Sequence, residues 1–536
     1  MAWKHQDILI AIGLGALFIF FGFWLMTVGV CGIFHDDGIY VSTAKALAQG
    51  DGYRLINLPD SPLQTKYPIL YPALLAVIWK LWPSFPHNLL AMQGLSLLAG
   101  AATVAIAFLY LVSNGYCSRG IALTSGLLCA SSAWFLYFST ITLSEIPFAL
   151  LTVITLWSVE RSIRIPIESS LFRFILGVLL ALPFLTRIIG IVLVPISLIL
   201  LYRAGRSIRL IALGSAAVVV PWILWMLIGP KWNQNQVAAY YTNYLSWWSS
   251  FGLPNLIRIF LLNLLMVAIQ PSQISFALFH NSMEPSWLFS ITPFIGAIIF
   301  GPIILQIRSG RLLPCFLAAY LVIILLWPWP PFRFLVSILP FLLAYLIGAL
   351  WRLVQKYPYL VRHKWVLMSC LGLLLTFNIG SIYRIGRING ITKYQCVIPP
   401  TNLIYWTSFE NIFNWVSDNT KPNDVIASGL DTMMYLYTNR RSIRPFVMSP
   451  DLLFYGQDSQ PFEVEDLVRI LKSYRAKFLV DTPMLGFAEE KTFSEVVQKT
   501  QREYPDQVKT VYIGEDNRFK IFRINYESKS FNQISR

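Results

Sequence analysis

Two adjacent carboxylates, Asp36 and Asp37, stand in the stretch CGIFHDDGIYVSTAKALAQGDGYRL, directly after the first long apolar run of the chain. Paired acids at a membrane edge have three uses. One can cap a helix, both can ligate a cation, or one can act as a general base. Aspartate is a good N-cap, but capping needs only one acid, and a second at an interface costs solvation. Two close carboxylates repel, so one proton is held more tightly unless a cation lies between them. That environment suits a base, or a divalent-cation site with Asp36 and Asp37 as ligands. His35 beside them could join a metal site, but a lone histidine more often is polar surface.

Cations and a third acid follow. Lys66, in TKYPILYP, precedes a proline-containing apolar helix. It either snorkels toward headgroups or anchors a phosphate as a compact point charge. Glu145, in TLSEIPFALL, is a lone acid between two apolar runs and reads as an exposed hairpin residue, a helix cap or a site acid. Arg187 in PFLTRIIG and Arg333 in WPWPPFRFLVSILPF sit at helix ends, where snorkelling arginines are common.

These residues must be held by a membrane protein. The chain has 536 residues, 56% hydrophobic and 13% charged, against about 25% charged in a soluble domain. Its net charge is +15. Much of the Lys/Arg excess lies in short loops between apolar runs, so it encodes topology and not nucleic-acid binding. Six scattered cysteines, with no CxxC, give neither a disulfide framework nor a zinc site.

Apolar runs near 8–30, 88–112, 120–141, 146–159, 172–186, 188–202, 208–229, 287–306, 312–328, 334–350 and 365–383 predict about eleven transmembrane helices. The first reads as a retained anchor and not a cleaved signal. Splitting 172–202 at Arg187 keeps that charge off the bilayer centre and at a surface. Basic, acid-poor loops alternate along the chain, which places the N-terminus in the cytoplasm. Residues 31–87, the Glu145 link and the loop 230–286 then fall on the outer face, where topology does not call for Lys66, Arg187 or Arg333. Within 31–87, the spacing predicts an interfacial helix over 37–49, a turn at QGDGYR and a second, interfacial or re-entrant helix in YPILYPALLAVIWKLWP. Residues 254–269 read as another interfacial helix. The chain thus divides into a transmembrane part, 1–383, and a soluble extracytoplasmic α/β domain, 400–536, of alternating helix and strand patterns.

The order of these segments resembles polyprenyl-phosphate-sugar-dependent glycosyltransferases of the GT-C fold, the superfamily of protein O-mannosyltransferases and lipid A aminoarabinose transferases. The resemblance is carried by Asp36-Asp37, Tyr40, Gly50-Asp51 and Lys66-Tyr67-Pro68, with TLSEIPF, LTRIIGIVLVP, RFLVSILPFLLAY and MMYLYTNRRSIRP downstream. It spans residues 1 to about 450. It implies a bacterial plasma-membrane enzyme that takes a sugar from a polyprenyl-phosphate donor and passes it, with inversion, to a hydroxyl of a lipid, glycan or protein acceptor. Asp36 would be the base, Asp37 its orienting partner and Glu145 a further acid of the site. Lys66, with Arg333, Arg258 and Arg187, would hold the donor phosphate, and Tyr40 and Tyr67 would line the substrate groove. The aminoarabinose transferases usually have Glu before the lysine, where this chain has Thr65, so a divalent cation (Mg, Mn, Ca or Zn) is left open. A transporter or lipid flippase is the alternative. Transporters tend to show internal repeats and midplane ionisable sites, and neither is evident. A third reading is an assembly factor working through its α/β domain.

Overall fold

The computed structural model describes residues 4–229, 241, 252–279, 287–357, 364–397, 403–446, 462–484, 489–514 and 517–526. About half of the expected outer loop 230–286, namely residues 230–240, 242–251 and 280–286, lies outside these residues.

Among the described residues, eight helices are long and apolar enough to cross a membrane, and a ninth span arises if the bent pair Arg119–Ala130 and Ala133–Thr140, with a 59° break, counts as one. The chain is a multi-pass integral membrane protein. The count differs from eleven for two reasons. The runs near 172–186, 188–202 and 312–328 fold as short apolar helices, Ser170–Thr186, Ile188–Arg203 and Leu312–Leu325. Residues 254–269, expected to lie at the interface, are part of a 23-residue helix, Leu253–Ser275, long enough to span. The apolar pattern stops at Pro271, but the backbone continues helically through that proline.

Burial separates inner from outer helices. Leu89–Ser113, Glu145–Arg164 and Leu339–Lys356 each have 61% of their apolar window buried in protein. Arg209–Ile228, Leu253–Ser275 and Ser290–Ser309 have 22%, and Trp365–Thr392 has 17%. A helix that is apolar all round and covered on one side must meet lipid on the other. The inner helices therefore form a rigid centre, and Glu145–Arg164 carries one buried acid near each end, Glu145 and Glu160.

The helix Asp36–Gln49 is too polar to span and is closed by Gly50 in the left-handed conformation at φ 88. The helix Leu70–Leu81 follows it. C-terminal to the last long helix lies a mixed five-stranded sheet in the order β2-β1-β3-β5-β4. Its strands are β1 (Ile426–Ser428), β2 (Ser442–Ile443), β3 (Phe478–Asp481), β4 (Val508–Ile513) and β5 (Lys520–Ile524). β1 is parallel to β2 and β3, whereas β5 is antiparallel to both β3 and β4. The amphipathic helices Trp406–Asn419 and Val464–Tyr474 bury Phe409, Ile412, Phe413, Leu467, Val468 and Leu471 in the same core as the sheet. That core also takes in Ile33, Ile39 and Leu55 from the segment around the acid pair. The C-terminal region is thus packed onto the Asp36 helix.

Candidate active site

The acid pair is held through the residues that flank it. His35 precedes the helix at φ 64 and ψ −55, a conformation that L side chains rarely adopt. Such a backbone costs on the order of 1–3 kcal/mol and persists only where the surroundings impose it. Here His35 Nε2 lies 2.9 Å from Asp431 Oδ1 and 3.3 Å from the Tyr241 hydroxyl. Asn57 Nδ2 donates to the other Asp431 oxygen at 2.8 Å, and Thr432 Oγ1 donates to the His35 carbonyl at 3.4 Å. Gly32, at φ 91, and Gly38 lie so close to Met433 and Thr432 that a Cβ on either would meet them at 2.6 and 2.2 Å. The turn that opens the Asp36 helix is therefore locked by the helix Asp431–Thr438, although His35 and Asp431 are 396 residues apart in sequence.

His35 is buried and in hydrogen-bond contact with Asp431, not surface as its sequence neighbours suggested. Burial, then the nearby Arg444 charge, pulls its pKa down against the opposing pull of Asp431.

The two acids have different surroundings. Asp37 turns back on the chain, its oxygens accepting from the N–H groups of Gly32 at 2.6 Å and Phe34 at 3.1 Å. It therefore does a capping job, for the turn before the helix. Burial pushes its carboxyl up to about 6, against the pull of the backbone N–H groups. Asp36 faces the bundle. Its Oδ1 accepts from the Tyr67 hydroxyl at 2.6 Å, and its Oδ2 from Arg333 Nη1 at 2.6 Å. Burial alone would raise its pKa, but the Arg333 charge, the Tyr67 hydrogen bond and His35 outweigh burial and hold it at about 2.

Arg333 links the pair to the third acid. Its Nε donates to Glu145 Oε1 at 2.5 Å, and Arg187 Nη1 approaches the same oxygen at 2.7 Å. Glu145 opens the helix Glu145–Arg164 and is fully buried, so it is not an exposed hairpin residue. Arg187 lies at the expected break between two short helices, yet it packs half-buried against Glu145 and over the Phe334 ring, not free at a surface. The sequence shows the break but not the partner.

Lys66 is also buried. Its ammonium stands 5.4 Å from the Tyr67 ring and 5.9 Å from the Trp329 ring. Burial lowers its pKa to about 8, partly opposed by the charge of Asp36. Tyr40 packs edge-on against Tyr67 and Tyr71, each at 5.3 Å, and its hydroxyl lies 2.8 Å from Ser144 Oγ. Of the sequence-derived residues, the structure brings together Asp36, Asp37, Tyr40, Lys66, Tyr67, Glu145, Arg187 and Arg333. Arg258 instead lies exposed on the helix Leu253–Ser275.

Two residues escaped the sequence reading. Asp431 fixes His35, and Arg444, fully buried, is close enough to act on the titration of both His35 and Lys66. The available signal was the arginine-rich end of MMYLYTNRRSIRP, whose place beside the first loop is set by the fold.

A divalent cation does not fit the acid pair as it stands. The oxygens of Asp37 accept backbone N–H groups, those of Asp36 accept Tyr67 and Arg333, and a guanidinium already sits where a cation would. Among the described residues, no three His, Cys, Asp or Glu side chains gather as a metal site.

No family model and no curated protein matches the sequence. Solved structures do. The chain is similar to ArnT from Cupriavidus metallidurans bound to undecaprenyl phosphate, with a TM-score of 0.53, 12% identity, and 98% of this chain and 99% of that one covered. It is similar to the archaeal oligosaccharyltransferase AglB from Archaeoglobus fulgidus in complex with an inhibitory peptide and a dolichol-phosphate, with a TM-score of 0.55, 11% identity, and 98% and 75% covered. A further Archaeoglobus fulgidus oligosaccharyltransferase structure, in complex with Zn and sulfate, matches with a TM-score of 0.54, 13% identity, and 96% and 73% covered. At such identities the likeness is one of fold, and it runs through nearly the whole chain. This protein therefore has the GT-C fold: a polytopic helical bundle with a mixed α/β region at its C-terminal end.

Proposed function

We propose that this protein is an integral membrane glycosyltransferase that moves a sugar from a polyprenyl-phosphate donor to a hydroxyl of a lipid, glycan or protein acceptor. The observation that carries the reading is the part-buried contact of Asp36 with Arg333 and Tyr67, beside the buried Lys66, on a GT-C bundle. The basic-loop pattern supports an N-terminus in the cytoplasm of a bacterial cell and a site, with residues 400–536, on the outer face of the plasma membrane.

In this reading the donor phosphate settles against Lys66 and Arg333, and Arg187 backs them through Glu145. Asp36 takes the acceptor's proton as the acceptor oxygen bonds to the anomeric carbon. The bond from that carbon to the phosphate oxygen breaks, polyprenyl phosphate leaves with the electron pair, and the anomeric centre inverts. Phosphate is a stable leaving group, so no strong general acid is needed. Preorganised cations stabilise the charge that gathers on it.

The resting geometry adds a coupling. With its carboxyl held at about 2, Asp36 is ionised but a weak base. A donor phosphate that draws Arg333 toward itself removes the counter-charge and raises the basicity of Asp36. The base is thus sharpened when donor is bound. Arg258, exposed, would meet the donor only nearer the bundle surface.

The test is Asp36→Asn in membranes supplied with polyprenyl-phosphate hexose, with glycolipids, glycans and glycoproteins analysed by mass. Transfer should fall by about 10²–10⁴-fold, the usual worth of a general base, with protein level and donor binding retained. Full transfer by this variant removes Asp36 as the base.

A further inference from the structure

A cavity with a partly polar lining lies away from the proposed transfer centre. It has a volume of about 490 Å³ and is lined by Lys45, Gln49, Trp79, Lys80, Phe85 and Asn439, among others. Lys45 lies nine residues beyond Asp36 on the same helix. At 1.5 Å and about 100° per residue, that is roughly 14 Å along the axis and on the opposite face. The cavity is therefore not the place where Asp36 acts.

Its lining has a definite chemistry. Among the described residues, two lysines line it and no acid does. Lys45 Nζ donates to Asn439 Oδ1 at 3.0 Å and stands 4.7 Å from the Tyr435 ring. Burial lowers its pKa. A bound anion would oppose that shift. Trp79 and Phe85, stacked on each other at 5.8 Å and 16°, give the cavity an aromatic side. Gln49 and Asn439 add amide groups able to donate to and accept from hydroxyls. The volume is within the range of small-molecule sites, roughly 300–1,000 Å³. The neighbouring helix exposes Leu74, Val77 and Leu81, an apolar flank suited to a lipid surface.

We propose that this cavity binds a phosphorylated sugar-like headgroup, with Lys45 and Lys80 on the phosphate, Gln49 and Asn439 on hydroxyls, and the aromatic Trp79–Phe85 side against the ring. Lysine serves phosphate as a point charge. The headgroup comes either on a lipid or as a free sugar phosphate.

The test uses detergent-purified full-length protein. Calorimetric titrations with glucose 1-phosphate and with glucose, and native mass spectrometry with phosphatidylinositol against phosphatidylcholine, read binding without any transfer assay. At least one phosphorylated probe should bind, in preference to its uncharged or zwitterionic counterpart. Binding of phosphatidylinositol alone identifies a lipid source, and binding of glucose 1-phosphate alone a soluble one. Lys45→Gln should weaken that binding about tenfold, and Lys80→Gln several-fold. Lys80 is exposed, so its variant decides the matter if Lys45→Gln does not fold. Lys66→Gln separates the two sites: binding lost in that variant but kept in Lys45→Gln and Lys80→Gln belongs to the transfer centre and overturns the proposal. No binding of either phosphorylated probe, or no preference for phosphate, overturns it as well.

Discussion

The helix Glu145–Arg164 holds a buried acid near each end, and the two ends are built differently. At one end Glu145 is shared by two arginines, Arg187 and Arg333, and Arg333 passes the link on to Asp36. At the other end Glu160 accepts from the hydroxyls of Tyr110, at 3.3 Å, and Tyr116. Its ion pair, to Arg164 at 3.4 Å, is a half-exposed one within the same helix. Arg311 closes this end by stacking on Tyr116, 3.9 Å from the ring, and donating to the Asn114 carbonyl at 2.5 Å.

The difference separates two uses of a buried carboxylate. Two tyrosine hydroxyls satisfy Glu160, and of the arginines at this end Arg164 is half-exposed and Arg311 holds helix ends together. Around Glu145 and Asp36 the structure gathers Arg187, Arg333 and Lys66, more cations than are needed to satisfy two carboxylates. Gathering them in a largely buried place costs desolvation, and in the proposed reading an incoming phosphate offsets that cost. On that reading the first end would receive an anion and the second would hold shape.

The largest effect that would test this contrast is at Glu145. Glu145→Gln leaves the part-buried Arg187 and Arg333 with one carboxylate fewer, and removing one partner of a buried pair costs up to about 3–5 kcal/mol. We expect a clear drop in thermal stability and a large loss of transfer. A stable variant with unchanged transfer would break the contrast. Lys66 sharpens it through pH. Its charged form exists below about 8 and is lost above it. Donor kcat/KM should therefore fall as pH rises through about 8, and Lys66→Arg should move that limb upward. A flat profile up to about pH 10, near the ordinary lysine pKa, would remove Lys66 from donor binding.

Asp431 tests whether the C-terminal region belongs to the site. Asp431→Asn weakens a charge-assisted contact to His35, which is worth about 1.5–3 kcal/mol. Transfer should fall severalfold with donor binding little changed, because the Asp36 helix loses its anchor and no donor contact is removed. A fall in stability alone, with kcat kept, would make the contact merely structural. The smallest effect is expected at Glu160. Glu160→Gln keeps an acceptor for both tyrosines, so about 1 kcal/mol of stability and no transfer should be lost. Equal transfer losses in Glu145→Gln and Glu160→Gln would erase the distinction between the two ends.

Much of the site was legible because its residues sit in short, unusual contexts. Asp36, Lys66, Glu145, Arg187 and Arg333 are ionisable groups interrupting apolar sequence, where each carries a solvation cost that topology does not explain. What could not be read was which of them meet. Arg333 and Asp36 are 297 residues apart, and His35 and Asp431 are 396 apart. No local periodicity encodes such pairs. His35 looked like surface for that reason, and Arg187 was placed at one.

The sequence by itself determined a helical membrane protein, because long apolar runs have no other stable form in lipid. It also determined the break at Arg187, the helix over the acid pair and the alternating helix and strand pattern after residue 400. The tertiary structure decided the rest. It turned Asp37 back onto the chain and Asp36 toward Arg333, joined Glu145 to two arginines, and set Asp431 and Arg444 beside the first loop. Burial and charge pairing act between neighbours in space, and those neighbours exist only once the chain has folded.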